Sequence, residues 1–203
     1  IRDRPNIDRI IDALEHIDMD ILGLLEYALA AQTSAPEKGH RGYEVINSHQ
    51  YLQTELQFDQ FYHSQHSSFR NAIDLAAKRK KCRIIEINEA SQFVIIQLPE
   101  NMNDLKLGIF TVHFDVENES KRLDQLNALS DTINKYNDNM CLIMMGDFNA
   151  LKREDYDEET WQKITDIRKR NNWELPQTQL IAAIENKYKF RDCLYLYQDL
   201  ESK

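Results

Sequence analysis

The strongest constraint in this sequence is the apolar run at residues 140–145, MCLIMM, which stops at Gly146 and is followed at once by Asp147, Phe148 and Asn149. A short, continuous apolar run bounded by a glycine is typical of a strand buried within a sheet. The pattern therefore predicts a central strand whose carboxyl end presents a carboxylate and an amide two residues apart.

Several further elements can be predicted around this strand. Strands are expected at DILGLL (20–25), CRIIEI (82–87), QFVIIQLP (92–99) and KLGIFTVHFD (106–115), the second and third joined as a hairpin through NEAS. Apolar spacing predicts helices at 6–17, 119–136, 158–170 and 177–187. Residues 49–81 show no clean period, and we interpret them as a helix and loop region or an insert. Strands interleaved with helices indicate one layered α/β domain over 1–203.

Composition excludes several classes of function. The net charge of −9 and pI of about 5.2 give no general attraction to a nucleic-acid duplex. Five glycines permit neither a dinucleotide-binding fingerprint nor a P-loop. No apolar run is long enough for a membrane span.

The number and spacing of the cysteines indicate the redox state of the protein's compartment. Cys82, Cys141 and Cys193 are sparse, odd in number and without metal-binding spacing, which favours a reducing, intracellular compartment. Cys141 lies inside the apolar run and is expected to be a small buried hydrophobe.

Polar residues follow three of the predicted strands. Glu26 follows DILGLL, His113 and Asp115 end KLGIFTVHFD, and Asp147 and Asn149 follow the apolar run. If these strand ends converge, their oxygen ligands suit a hard cation such as Mg²⁺, and the set suits phosphoester hydrolysis. Each residue also has a simpler explanation: Glu26 as a solvated strand end, His113 as a core histidine, and Asp147 as part of a turn.

Longer segments carry a family resemblance. LIMMGDFNA resembles the GDFN motif of the endonuclease/exonuclease/phosphatase superfamily, which has the DNase I-like fold. DILGLLE and FTVHFD resemble two further strands of that family, and Arg122 and Gln125 fit its R-x-x-Q helix. The resemblance covers most of residues 7–195 and implies a four-layered αββα sandwich, or a version of it that is incomplete at both ends.

The resemblance also implies roles for individual residues. Glu26 would bind Mg²⁺ or Mn²⁺, Asp147 would orient or activate the attacking water, and Asn149 and His113 would contact the phosphate. The implied substrate is a phosphoester, either single-stranded nucleic acid or a small phosphorylated molecule.

Two functions remain open from sequence. The first is a metal-dependent phosphoester hydrolase. The second is a catalytically degenerate member of the same fold that acts as a structural or interaction subunit, with residues 49–81 as a protein contact. The family's Asn-bearing first strand would precede Ile1, and its final Asp-His pair has no counterpart after RDCLYLY. A longer chain supplying both would favour the enzyme.

Overall fold

The computed structural model of the chain describes residues 14, 16–17, 19–24, 57–63, 74–77, 82–88, 92–99, 102 and 105–201. Its contacts divide the chain into two compact units, Ile1–Leu107 and Gly108–Lys203. The predicted helix at 6–17 and most of the segment 49–81 lie outside the described residues. The single domain over 1–203 and the insert or protein contact at 49–81 therefore stay predictions.

The first unit contains a three-stranded antiparallel sheet. Its strands are β1 (Ile21–Leu24), β2 (Gln60–His63) and β3 (Asp74–Ala77), in the order β1-β3-β2. Strand β1 confirms the strand predicted at DILGLL. The prediction of helix and loop was wrong where β2 and β3 lie. Each of these strands has only four residues, too few for an alternating pattern to stand out in a sequence without clear turns.

The first unit also contains the predicted hairpin. Strands β4 (Arg83–Asn88) and β5 (Phe93–Gln97) pair antiparallel, with Arg83 opposite Gln97 and an irregularity between Ile84 and Glu86. The buried strand of the hairpin is β5, whose first four residues are at most 3% exposed and point alternately to both faces of the sheet. The side chain of Gln60 joins β2 to this hairpin, because it donates to the Cys82 carbonyl (2.8 Å) and accepts from the Ile84 N–H (3.0 Å).

The second unit carries most of the helices. Strand β6 (Lys106–His113) reaches into it and is followed by α1 (Glu119–Ala128), α2 (Ser130–Tyr136) and β7 (Cys141–Asp147). A 3₁₀ turn (Arg153–Asp155) then leads to α3 (Glu158–Arg170), α4 (Gln179–Asn186) and α5 (Cys193–Glu201). The single helix predicted at 119–136 divides at Leu129. No helix in the described part of the chain is long and apolar enough to cross a membrane.

The core of the second unit is built from β6, α1, α2 and α4. Five consecutive residues of β6 are buried. The helices contribute the buried apolar side chains Leu126, Leu129, Ile133, Leu180 and Ile184. Spacings of three and four residues place these side chains on single helix faces, as the sequence pattern predicts. Burial of these faces fixes the helices that carry the site's polar side chains.

Strand β7 differs from the prediction for residues 140–145. Its neighbour is β6, and no strand of the described residues lies on its other side. Its residues are half-buried or exposed, and Cys141 is exposed. The predictions of a central strand and of a buried Cys141 were therefore wrong for the described structure. An apolar run records the hydrophobicity of a strand, but it does not record the strand's place in the sheet.

Strands β6 and β7 meet closely at Gly146. This residue has a φ of +140°, and a Cβ atom there would lie 1.9 Å from the carbonyl oxygen of Val112. Further along both strands, the Phe114 N–H donates to the Asp147 carbonyl. Residue numbers rise together in both strands, so β6 and β7 run parallel, with α1 and α2 in the connection between them. Only glycine fits this position without backbone movement.

We expect Gly146→Ala to lower the free energy of unfolding by at least about 2 kcal/mol, since it combines a rare φ with a main-chain clash. Urea denaturation followed by circular dichroism measures the change. Because the obstacle is the Val112 main chain, the double variant with Val112→Ala should recover none of the loss. Unchanged stability of Gly146→Ala would contradict the close approach of these strands.

Candidate active site

The carboxyl ends of β6 and β7 are joined through Phe114. Its N–H donates to the Asp147 carbonyl at 2.9 Å, and its carbonyl accepts from Nδ2 of Asn149 at 2.8 Å. Its ring also lies 5.9 Å from the ring of Phe148, centroid to centroid. Phe114 is only 4% exposed, so a buried residue fixes the three residues that follow Gly146.

A tight turn sets the positions of Asp147 and Asn149. Oδ1 of Asp147 accepts from the Asn149 N–H at 2.8 Å, which is the hydrogen bond of an Asx turn. Asn149 has a φ of +47°, in the left-handed region that asparagine tolerates better than most residues. The Asp147 side chain remains exposed. The turn therefore presents a carboxylate to solvent beside an amide of fixed orientation.

The residue after Phe114 is held by helix α1. Nη1 of Arg122 donates to the Asp115 carbonyl at 2.9 Å, and the Asp115 N–H donates to Oε1 of Gln125 at 2.8 Å. Three-residue spacing puts Arg122 and Gln125 on one face of the helix. The R-x-x-Q pair thus binds both main-chain polar groups of Asp115, and so positions the end of β6.

Arg122 lies at the centre of a buried ion network. Its side chain is 2% exposed, with Nε 2.8 Å from Glu119 and Nη2 2.6 Å from Glu174. Burial opposes its charge, but the hydrogen bonds that it donates to Glu119 and Glu174 outweigh that effect and raise the pKa of Arg122. The guanidinium therefore stays charged inside the unit, where it forms an ion pair with each of the two carboxylates.

The two carboxylates of this network also bind main chain. Both oxygens of Glu174 accept from the Glu119 N–H, at 2.9 and 3.1 Å. Oε1 of Glu119 accepts from the Leu180 N–H at 2.7 Å. The network therefore joins the start of α1, the start of α4 and the loop before α4. The long-range partners of this network could not be identified from sequence, since Glu174 follows Glu119 by 55 residues.

The carboxylate of Asp115 stabilises the turn that leads into α1. Oδ1 accepts from the N–H groups of Glu117 (3.0 Å) and Asn118 (2.8 Å), and Oδ2 lies 3.6 Å from Nζ of Lys121. Burial raises its pKa, but the two backbone hydrogen bonds and Lys121 together lower it below the usual value. Asp115 thus holds the entry to α1 and does not line the cavity beside Asp147.

A cavity of about 360 Å³ opens beside the Asp147–Asn149 turn. Its polar lining comprises Arg122, Asp147, Asn149, Arg168 and Gln177. Its apolar lining comprises Val116, Phe148, Ala150, Leu151 and Pro176. Two guanidinium groups therefore border one space with a carboxylate and an amide, a set that suits an anionic phosphate group.

The predicted site residues are brought together only in part. Asp147 and Asn149 line the same cavity, whereas His113, the half-buried last residue of β6, does not. Glu26 lies outside the described residues. Within the part of the chain that is described, no three His, Cys, Asp or Glu residues form a cluster able to hold a metal ion. The roles of Glu26, His113, Asp147 and Asn149 therefore stay predictions.

Sequence reasoning missed two polar residues of the cavity. Arg168 belongs to the last turn of α3, and Gln177 to the loop before α4. Arg168 resembles any charged residue on the solvated face of an amphipathic helix, so the pattern gave no sign of its position. The Pro176 that follows WEL indicates a loop, but not what that loop faces.

Comparisons with known proteins identify the fold. No family model and no curated protein sequence match the chain. Among solved structures, the human Nocturnin catalytic domain with a bound sulfate anion has a TM-score of 0.53 at 15% identity, covering 81% of this chain and 63% of its own. Zebrafish (D. rerio) TDP2 complexed with single-strand DNA product has a TM-score of 0.51 at 16% identity, covering 72% of this chain and 54% of its own.

These likenesses show a DNase I-like α/β fold, which is the fold that the GDFN motif predicts. The chain spans less than two thirds of the length of either structure.

We expect Arg122→Met to lower the free energy of unfolding by about 3–5 kcal/mol, because it leaves the carboxylates of Glu119 and Glu174 without their cation. Arg170→Met, at an exposed position of α3, is the matched control and should change it by about 0.5 kcal/mol or less. Chemical denaturation of both variants measures the difference.

A triple variant separates lost charge balance from lost packing. Adding Glu119→Gln and Glu174→Gln to Arg122→Met removes the uncompensated charges, so it should recover part of the stability. A loss below about 1 kcal/mol for Arg122→Met alone would contradict the central position of this residue.

Proposed function

We propose that this protein is a metal-dependent phosphoester hydrolase. The observation that carries the proposal is the cavity in which Asp147 and Asn149 border the same space as Arg122 and Arg168. A phosphoryl group that gains negative charge in the transition state needs such donors, fixed before the reaction begins. The DNase I-like fold is compatible with the proposal, although a fold alone does not determine an activity.

Asp147 is the proposed group that orients or activates the attacking water. Its exposed carboxylate is held at one oxygen by the Asn149 N–H, so its position is defined while it stays accessible. A carboxylate within hydrogen-bonding reach can position a water and take its proton as the phosphorus–oxygen bond forms.

Asn149 is the proposed phosphate contact. One N–H of its Nδ2 is directed to the Phe114 carbonyl at 2.8 Å. A primary amide nitrogen carries a second N–H, which is the group proposed to donate to a phosphoryl oxygen. His113 is proposed as a second phosphate donor, although it does not line the described cavity.

The proposed cofactor is Mg²⁺ or Mn²⁺, with Glu26 as its ligand. The donors near the cavity fit such an ion in type, because Asp147 and Asn149 offer oxygen ligands and its described lining residues include no cysteine. When bound, such a cation would neutralise charge on the phosphoryl oxygens and on the leaving group. Asp147 and Asn149 would still position the water and the phosphate.

The proposed substrate is single-stranded nucleic acid or a small phosphorylated molecule. The net charge of −9 disfavours a duplex, which requires extended phosphate neutralisation. Arg168, which lines the cavity and pairs with no carboxylate among the described residues, favours a phosphate at the cavity itself. The structures with a similar fold include one with sulfate and one with single-strand DNA product, which is compatible with this class.

Hydrolysis of bis(p-nitrophenyl) phosphate tests the proposal. We expect release of p-nitrophenol with Mg²⁺ and none with EDTA, and a fall of about 100-fold or more in kcat for Asp147→Ala. Asp138→Ala, which removes an exposed carboxylate before β7, is the matched control and should keep the full rate.

Two results would contradict the proposal. The absence of Mg²⁺-dependent hydrolysis in the folded protein would instead favour a non-catalytic role for the fold. An active protein in which Asp147→Ala keeps the rate of Asp138→Ala would place the reaction elsewhere. Circular dichroism of each variant ensures that a lost rate reflects chemistry and not unfolding.

A further inference from the structure

The two guanidinium groups of the cavity differ in what they already bind. Arg122 directs Nε, Nη1 and Nη2 to Glu119, the Asp115 carbonyl and Glu174. Arg168 forms no ion pair with any residue that the structure describes. The charge of Arg122 is therefore compensated within the unit, whereas the charge of Arg168 is open to a ligand.

Arg168 is held in place by main chain. Its Nε donates to the Glu174 carbonyl at 2.5 Å, and its own carbonyl accepts from the Trp173 N–H at 2.8 Å. The first contact orients the guanidinium and the second fixes the main chain of Arg168, a residue that lines the cavity. An Arg that is already oriented loses less conformational freedom when it binds an anion, so its terminal N–H groups suit a phosphate.

The charged residues that line the cavity differ in their partners. Arg122, Arg168 and Asp147 are its only charged lining residues among those described. Glu119 and Glu174 do not line it, because their carboxylates point to Arg122 and to backbone N–H groups. Because Glu119 and Glu174 already pair with Arg122, Arg168 is the lining cation that pairs with no carboxylate among the described residues.

The cavity is also larger than one phosphate requires. About 360 Å³ lies within the range of pockets that enclose whole small-molecule ligands. Asp147 and Asn149 come from the turn after β7, whereas Arg168 comes from the end of α3. Two elements thus contribute polar groups to one space, with apolar contacts from Val116, Phe148 and Pro176.

We infer that Arg168 binds a second phosphate group of the substrate, beside the phosphate that reacts at Asp147 and Asn149. This inference rests on the proposed function, since it takes the reacting phosphate to lie at those two residues. It narrows the substrate class to phosphoesters with a further phosphate nearby, such as a nucleic-acid strand with a phosphorylated end. Arg168 is thereby a specificity-determining residue.

Binding of dinucleotides tests the inference without any turnover. The probes are TpT and its 5′-phosphorylated and 3′-phosphorylated forms, titrated calorimetrically into the protein at low salt with EDTA present. We expect one phosphorylated form to bind the wild type about tenfold more tightly than TpT, as one charge-assisted contact would give. Arg168→Gln should abolish that difference.

Two further variants keep the result interpretable. Arg168→Lys retains the charge without the fork and should keep part of the preference. Arg170→Gln removes an exposed arginine two residues away on α3 and should keep all of it. Thermal unfolding of each variant identifies a loss of binding that is caused by unfolding. If Arg168→Gln is unfolded, the dinucleotide preference of Arg168→Lys relative to the wild type tests the role of Arg168.

The possible outcomes separate this inference from the proposed function. Equal affinity of the wild type for all three dinucleotides, no binding of any of them, or equal losses in Arg168→Gln and Arg170→Gln would overturn the role of Arg168. The same dinucleotides are then incubated with Mg²⁺. A preference that depends on Arg168 without any hydrolysis would refute the proposed function and leave the anion site standing, whereas hydrolysis without the preference would refute the anion site alone.

Discussion

The buried guanidinium of Arg122 is the interaction on which the candidate site depends. Through Glu119 and Glu174 it fixes the starts of two helices and the loop that borders the cavity, and through the Asp115 carbonyl it fixes the end of β6. A buried ion network is weak evidence of high stability, because desolvation offsets much of its attraction. Its contribution here is geometric, since one side chain holds the end of β6, the starts of two helices and a loop in fixed positions relative to one another.

Successive hydrogen bonds link Arg122 to the proposed catalytic residues Asp147 and Asn149. Asp115 has no proposed catalytic role. Its neighbour Phe114, however, binds the Asp147 carbonyl and the Asn149 side chain. Gly146 permits the close approach of β6 and β7 that these hydrogen bonds require. Arg122 thus acts on the site by positioning other groups, whereas Arg168 lines the cavity and forms no ion pair with the described residues.

The sequence predicted the local features well, because each has a local cause. Helix α3 was predicted at its observed bounds, and a turn was the simpler of the two explanations that the sequence left open for Asp147, which forms an Asx turn with Asn149 in the structure. Features that depend on distant partners were missed. The partnership of Arg122 with Glu174 spans 52 residues and leaves no periodic signal. The R-x-x-Q spacing was noticed through family resemblance, but its function, holding both main-chain groups of Asp115, emerges only from the fold.

The central claim is that a phosphate group binds between the turn after β7 and the end of α3. Titration of the ¹⁵N-labelled protein with inorganic phosphate, followed by heteronuclear NMR, tests it most directly. We expect concentration-dependent shifts at the amides of Phe148, Asn149 and Gln177, and none at Tyr195 on helix α5. Shifts spread evenly over the surface, or confined to residues away from this cavity, would contradict the account.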